Sequence, residues 1–277
     1  MGIFSELFNI LKCNFNLRNK FESLLKIENN HYYFDSSTID RIIKEAKKQI
    51  ATNSRSFGLL VQKKLEQNNI LKKQVEESLK DPEKLQAVSQ ANKIASLTKN
   101  EELRNTLSSL VVQKIITNED EESIIITKAI DVIKNITVNH IKLLALFYLY
   151  KNGTIKKWLN DNKLEEKQKE YSDLFNLLDK NNYRLGNTLV AESLVIYTGL
   201  YHKFKYHISK DLSETKILNI TNEQLSLSNT EILIQKLYKP IFQASLTNKE
   251  FSSVGEYIAK IYLQNLEQIC CAQNKTF

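Results

Sequence analysis

A mainly α-helical fold is predicted for this chain by three observations. Chain breakers are scarce, helix starts are marked again and again, and apolar residues recur at helical spacing. Six glycines and two prolines in 277 residues supply too few turns for a sandwich or barrel of short strands. The expected architecture is an N-terminal helical bundle followed by a degenerate winged-helix-like helical unit with at most a short β-hairpin. Residues 1–35 are read as an amphipathic helix and linker, 36–136 as the bundle, and 137–277 as the winged-helix-like domain, with an inserted segment near 210–243.

The elements follow in order. In IFSELFNIL (3–11), Ile3, Phe4, Leu7, Phe8, Ile10 and Leu11 share one helical stripe. Ile3, Phe4, Leu7, Phe8 and Leu11 are the expected interface, docking on the core or on a partner subunit. With Lys12, Arg18 and Lys20 nearby, a membrane surface is the alternative occupant of that stripe. DSSTID opens a long helix with Ser37 as a cap, and Ile39, Ile42, Ile43, Ala46, Ile50 and Phe57 carry its apolar face to about Asn68. ILKKQVEESLK continues without a strong breaker.

In DPEKLQAVSQANKIA (81–95) the proline sits between two acids. Proline fits the first helical position, Asp81 before it is a good N-cap, and Glu83 favours the positive end of the helix dipole. The cluster is a helix start, not a catalytic pair. Leu85, Val88, Ala91 and Ala95 then form a small-residue face suited to close helix packing. Thr98 with Glu101 has capping-box spacing before ELRNTLSSLVVQKII. The acidic run EDEE (119–122) lacks the alternation and glycine of a calcium loop and reads as a helix start. TVNHIKLLALFYLYKNG is apolar nearly all round and ends at Gly153, as a central buried helix would. Helices follow around IKKWLNDNKL, EYSDLFNLLDK and LGNTLVAESLVIYTGL. HKFKYHI (202–208) alternates like a strand, and a capped helix from Ser228 is expected to end or break at Pro240. SLTNKEFSSVGEYIAKIYLQNLEQI closes the chain, Thr247 and Glu250 again having capping-box spacing.

Composition excludes several classes. No apolar run approaches the roughly 18 residues of a membrane span. Glu6 and Asn9 interrupt the N-terminal apolar residues, so no cleavable export signal is expected, and three cysteines fit a reducing cytoplasm. The net charge of +7 is concentrated in residues 1–100, with 17 Lys and Arg against 11 Asp and Glu. Only five of the 39 basic residues are arginine, the side chain that reads phosphate and guanine bidentately. Most of the excess therefore reads as solvated helix faces.

Candidate chemistry is thin. His31, His140, His202 and His207 lack zinc-site spacing, and no phosphate-binding loop, dinucleotide turn or nucleophile elbow is present. The order of helices, short strand and final helix is that of a winged helix-turn-helix, but LGNTLVAESLVIYTGL offers no Lys or Arg to a major groove. His202, Lys203, Lys205 and His207 form the one expected anion or nucleic-acid surface.

SLKDPEKLQAVSQANKIASLTKNEELRNTLSSLV, ITKAIDVIKNITVNHIKLLALFYL and SLTNKEFSSVGEYIA together resemble an uncharacterised bacterial family known only by locus tags. Its "DP..Q..A" helix matches Asp81, Pro82, Gln86 and Ala91, and its next helix matches Leu103, Leu107 and Leu110. A helix pair matches Ala129, Ile130, Thr137, His140, Leu144 and Ala145. An "LT.vG..IA" end matches Leu246, Thr247, Val254, Gly255, Ile258 and Ala259. The resemblance covers about residues 38–264, with no anchor between roughly 150 and 240 and a longer spacing within the last motif. The family is in turn similar to the Abi-alpha group of abortive infection. The resemblance implies a fold and an antiphage setting, and it brings no catalytic residue or cofactor. The expectation is a non-enzymatic cytoplasmic interaction or scaffold protein, without cofactor or metal, that associates with itself or another bacterial protein. The alternative is a winged-helix nucleic-acid-binding protein using its basic surface.

Overall fold

The computed structural model describes residues 36–175, 177, 182–197, 229–244, 246 and 249–273. The apolar stripe of residues 3–11, the HKFKYHI strand and the His202, Lys203, Lys205 and His207 cluster lie outside them. Twelve helices and one two-stranded antiparallel sheet make up the described structure, a mainly α fold. The chain divides into two compact units, Met1–Asn118 and Glu119–Phe277.

In the first unit α1 (Ser36–Gln67) packs against α3 (Pro82–Leu97) and α4 (Glu101–Ile116), while the short α2 (Lys72–Ser78) lies on α4. Phe57, Val61 and Leu65 of α1 are buried against the small face of α3, where Ala87, Ala91 and Ala95 leave room for close approach. Asp81 caps α3 as expected, its Oδ1 accepting the Glu83 N–H at 2.9 Å. For α4 the cap is Asn100 rather than Thr98: Asn100 Oδ1 accepts from the Leu103 N–H at 2.9 Å, and the Thr98 hydroxyl accepts from the Asn100 N–H. Asparagine outranks threonine as an N-cap, and it stands two residues nearer the helix.

In the second unit α6 (Val138–Lys151) is surrounded by α12 (Ser253–Gln273), α7 (Thr154–Asn160), α9 (Ser172–Phe175), α10 (Asn182–Ala191) and α11 (Asn229–Gln243). The short α8 (Leu164–Glu170) fills the gap between α7 and α9. α5 (Asp120–Ile133) belongs to this unit because its buried Ile126, Ala129, Ile130 and Ile133 side lies along α12. The sequence-based division at 136/137 separates α5 from α6, whereas the contacts divide the chain at Asn118 and Glu119.

Three expectations are corrected here. The expected helix over LGNTLVAESLVIYTGL ends at Ala191, after which Ser193 takes φ 55° and β1 (Val195–Tyr197) begins. It starts earlier, at Asn182, and so includes Arg184, which lies outward. The partner strand β2 (Lys249–Phe251) occupies the expected Thr247 capping box, pairing antiparallel with Val195 opposite Phe251. The helix after it is capped instead by Ser252, whose hydroxyl accepts the Gly255 N–H at 3.1 Å. Pro240 lies inside α11, which runs on to Gln243.

With so few glycines, other residues end the helices. Asn69, Asn162 and Ser193 take φ of 56°, 53° and 55°. The residue after each donates back across the last turn, Ile70 to Leu65, Lys163 to Trp158 and Leu194 to Leu189, at 2.9–3.0 Å. This is the left-handed C-terminal cap that glycine ordinarily provides.

Where backbone meets backbone, glycine is required. A Cβ on Gly255 would lie 2.0 Å from the Leu194 carbonyl oxygen, and one on Gly186 would lie 2.1 Å from that of Ala244. Gly153 instead has open space around it but φ 68°. Gly255→Ala is therefore expected to cost about 3 kcal/mol, because a backbone oxygen cannot rotate aside. Gly153→Ala is expected to cost about 1 kcal/mol from its dihedral alone. Urea midpoints of the two variants check the order; equal losses would contradict the close approach at Leu194.

Candidate functional site

The described surface is not uniformly polar. Where α1 ends and the chain turns into α2, an open groove of about 660 Å³ lies between α2, the start of α3 and the end of α4. Ile70, Ile115 and Ile116 give it apolar walls, and Leu71, 67% exposed, stands at its edge. Leu71 is held there by local chemistry: it precedes α2, and its N–H donates to Gln74 Oε1 at 2.8 Å. An apolar side chain so placed caps nothing and faces water.

Charged groups rim the groove. Lys73, Glu77, Asp81 and Lys84 are among its lining residues. Glu77 is paired with Lys80 at 2.7 Å in an exposed contact of little energetic weight. Lys84 has a structural task. Its Nζ donates to the Thr117 carbonyl at 2.7 Å and to the Ile115 carbonyl at 3.3 Å, and the Ser78 hydroxyl donates to Ile115 O at 2.7 Å. The last carbonyls of α4 are thereby satisfied by side chains from α3 and α2, and the cation also complements the negative helix end. Behind the groove the Lys114 side chain is wholly buried, with Nζ 2.6 Å from Glu83 Oε1 at the surface.

A polar seam crosses the α1–α3–α4 interface. Buried Asn53 donates through Nδ2 to the Ser96 and Thr98 carbonyls at 3.0 and 3.1 Å, and accepts from Gln49 Nε2 at 2.8 Å. The Ser54 hydroxyl donates to Asn92 Oδ1 at 2.8 Å, and Arg104 Nη1 donates to Thr98 O at 3.0 Å. These partners fix the register of three helices. About three turns further along α1, Lys64, 8% exposed, donates to Ser109 Oγ at 2.6 Å. Burial first, and the neighbouring Lys63 charge second, bring its ammonium down to about pKa 8.

The second unit uses its polar groups to lock helices together. Tyr257 donates to Glu122 Oε1 at 3.0 Å, joining α12 to α5, and Tyr171 donates to Glu267 Oε1 at 2.9 Å, joining the α8–α9 turn to α12. Burial, then the bonded carboxylate, raises both phenols far above their ordinary range, so both stay neutral donors. His140 accepts the Thr137 N–H at Nδ1, 3.0 Å away, which fixes the proton-free nitrogen and makes the ring part of the α6 start. Lys151 reaches Glu250 of β2 at 2.5 Å, while the Phe147 and Phe251 rings pack tilted by 33° with centroids 4.6 Å apart.

Among the described residues no group of three or more His, Cys, Asp or Glu is placed to hold a metal ion, and no helix is long and apolar enough to cross a membrane. Of the expected site residues, Ile3, Phe4, Leu7, Phe8, Leu11, His202, Lys203, Lys205 and His207 all lie outside the described residues. The groove was missed by sequence reasoning. Its one local signal was Leu71, a large apolar residue in a breaker-free junction between two helices.

The buried ammonium sets a pH dependence. Between pH 8 and 10.5 the unfolded chain holds a proton on Lys64 that the folded chain has released, so stability rises with pH across that window. Lys64→Met is expected to stabilise the protein at pH 7 by up to about 3 kcal/mol. The gap between variant and parent should close by pH 10.5. Denaturant titrations at pH 7, 8.5 and 10 measure it, and a gap that stays constant would show that Lys64 is not desolvated.

Residues 36–256 match a family model whose description reads only ":-like", a family named by locus tag and uncharacterised. No curated protein matches the chain, and neither does any solved structure.

Proposed function

Since the chain belongs to the family whose model matches residues 36–256, we propose, from its own surfaces, that it is a non-enzymatic helical interaction protein. It works by self-association, as a component of antiphage defence of the abortive-infection type. The family's functional setting rests on the resemblance to the Abi-alpha group. The mode of action rests on one observation, the apolar groove with Leu71 held exposed at its edge.

The occupant proposed for the groove is the Ile3–Leu11 segment of a second copy. Its apolar stripe at helical spacing matches the Ile70, Ile115 and Ile116 walls, as helix-in-groove recognition requires. Glu6 and Lys12 flank the stripe, and the groove rim offers Lys73 and Asp81 to them. Reach is sufficient. Residues 12–35 form a connection of 24 residues that can span on the order of 80 Å when extended, while α1 is roughly 48 Å long.

Burying Leu71 and the half-buried Ile70 and Ile116 under an apolar stripe supplies an association energy that solvent-exposed charge pairs do not. The full chain is expected to be a dimer or larger by light scattering at micromolar concentration. Removal of residues 1–15, or Leu71→Asp, should each yield monomer, and circular dichroism should be unchanged. A monomeric parent, or an oligomer indifferent to both changes, would overturn the reading.

A further inference from the structure

A second surface of the first unit carries a different chemistry. α1 has seven Lys and Arg against three Asp and Glu, and their placement is not even. Arg41, Lys44, Lys48, Arg55 and Lys63 follow one another at intervals of three, four, seven and eight residues. At 100° per residue all five fall within a sector of about 100°. That sector is the outward face: all five are exposed, as are Thr52 and Leu59 between them. The opposite side, with Ile43, Asn53, Phe57, Val61 and Leu65, is buried.

Several cations elsewhere in the described structure are paired with carboxylates. Lys80 pairs with Glu77, Lys114 with Glu83, Lys151 with Glu250, Lys167 with Glu170 and Lys260 with Glu256. Among the described residues none of the five on this face is in an ion pair. Glu45 and Glu66 are the two acids within the same sector, so it holds a net charge of three positive (five cations less two anions). From Arg41 to Lys63 the row is roughly 33 Å long and straight, since one unbroken helix carries it.

We propose that this face of α1 binds the phosphate backbone of a nucleic-acid duplex. A straight row of this length covers about ten base pairs at 3.4 Å each. Five cations set along it on flexible stems contact phosphates without reading bases, so the binding is indifferent to sequence. A lipid surface fits less well. An interfacial helix needs its apolar side free to enter the bilayer, and the apolar side of α1 is already spent in the bundle core; Leu59 alone interrupts the cationic row as a large exposed apolar residue. The binding needs no winged helix and none of the residues 202–207, and it is independent of the groove.

The full chain would be titrated against a 30-base-pair duplex of mixed sequence, as DNA and as RNA, between 50 and 200 mM salt, with anionic vesicles and polyglutamate as parallel probes. Five phosphate contacts predict a slope of log affinity on log salt of about −4.5. Lys44→Glu with Lys48→Glu should weaken duplex binding at least tenfold and lower that slope by about 2. Lys72→Glu with Lys93→Glu, exposed charges off the row, should change the affinity less than threefold. Circular dichroism of each variant confirms that the helices persist. No duplex binding at 50 mM salt would overturn the proposal. So would equal losses from the two double variants, or binding to vesicles or polyglutamate as tight as to the duplex. Leu71→Asp should leave duplex binding intact, which separates this surface from self-association.

Discussion

A helix without a polar side cannot be left against water, and in the second unit α6 is that helix. Leu143, Leu144, Ala145, Leu146 and Phe147 are five consecutive residues with no solvent exposure, which places apolar groups around the whole circumference. Covering them takes neighbours on every side, and α7, α9, α10, α11 and α12 supply those neighbours. The remaining features serve this enclosure. Gly186 and Gly255 let main chain approach main chain, the two three-residue strands tie β1 to the segment leading into α12, and neutral tyrosines bridge α12 to its surroundings. Each buried CH₂ contributes on the order of 0.8 kcal/mol, so this one helix organises a large share of the unit's stability.

The first unit is built on a different balance. Its interface mixes alanines with buried Asn53, Asn92, Ser96 and Ser108, and polar partners rather than bulk fix how the helices align. Buried amides cost free energy unless paired, which turns each of their hydrogen bonds into a condition on register. Lys64 and Lys114 are the expensive members of this set. Both keep a long aliphatic stem in the interior and bring the ammonium to a side-chain oxygen, Ser109 Oγ for Lys64 and Glu83 Oε1 for Lys114. A core of this kind specifies one arrangement at some expense of stability.

Much of this architecture was legible in the sequence. Asp81 before Pro82, the small face of α3, and the apolar circumference of α6 each follow from local rules, and all three hold in the structure. What misled was competition between neighbouring signals. Thr98 and Asn100 both offered a cap to α4, and the better acceptor took it. The spacing of Thr247 and Glu250 matched a capping box, but Glu250 lies in a strand that pairs with residues more than fifty positions earlier, a contact no window reveals. Ser193 ends α10 by adopting a left-handed dihedral, which composition does not announce. The groove was hidden for a related reason: its walls come from the α1–α2 junction and the end of α4, so only their meeting makes a site. The cationic row was open to inspection, since its periodicity is written along a single helix, but a net count of charges averages over its direction.

Gly58 sits about two-thirds of the way along α1, buried, and the helix passes through it without interruption. A bend there would have made two segments, each free to pivot. Continuity instead makes α1 a ruler. The groove opens directly beyond its last turn, and the outward lysines and arginines are carried along its shaft, so the separation between the two is counted in helical rises rather than left to a tether. Anything held at one end is thereby registered, in distance and in azimuth, against anything held along the other.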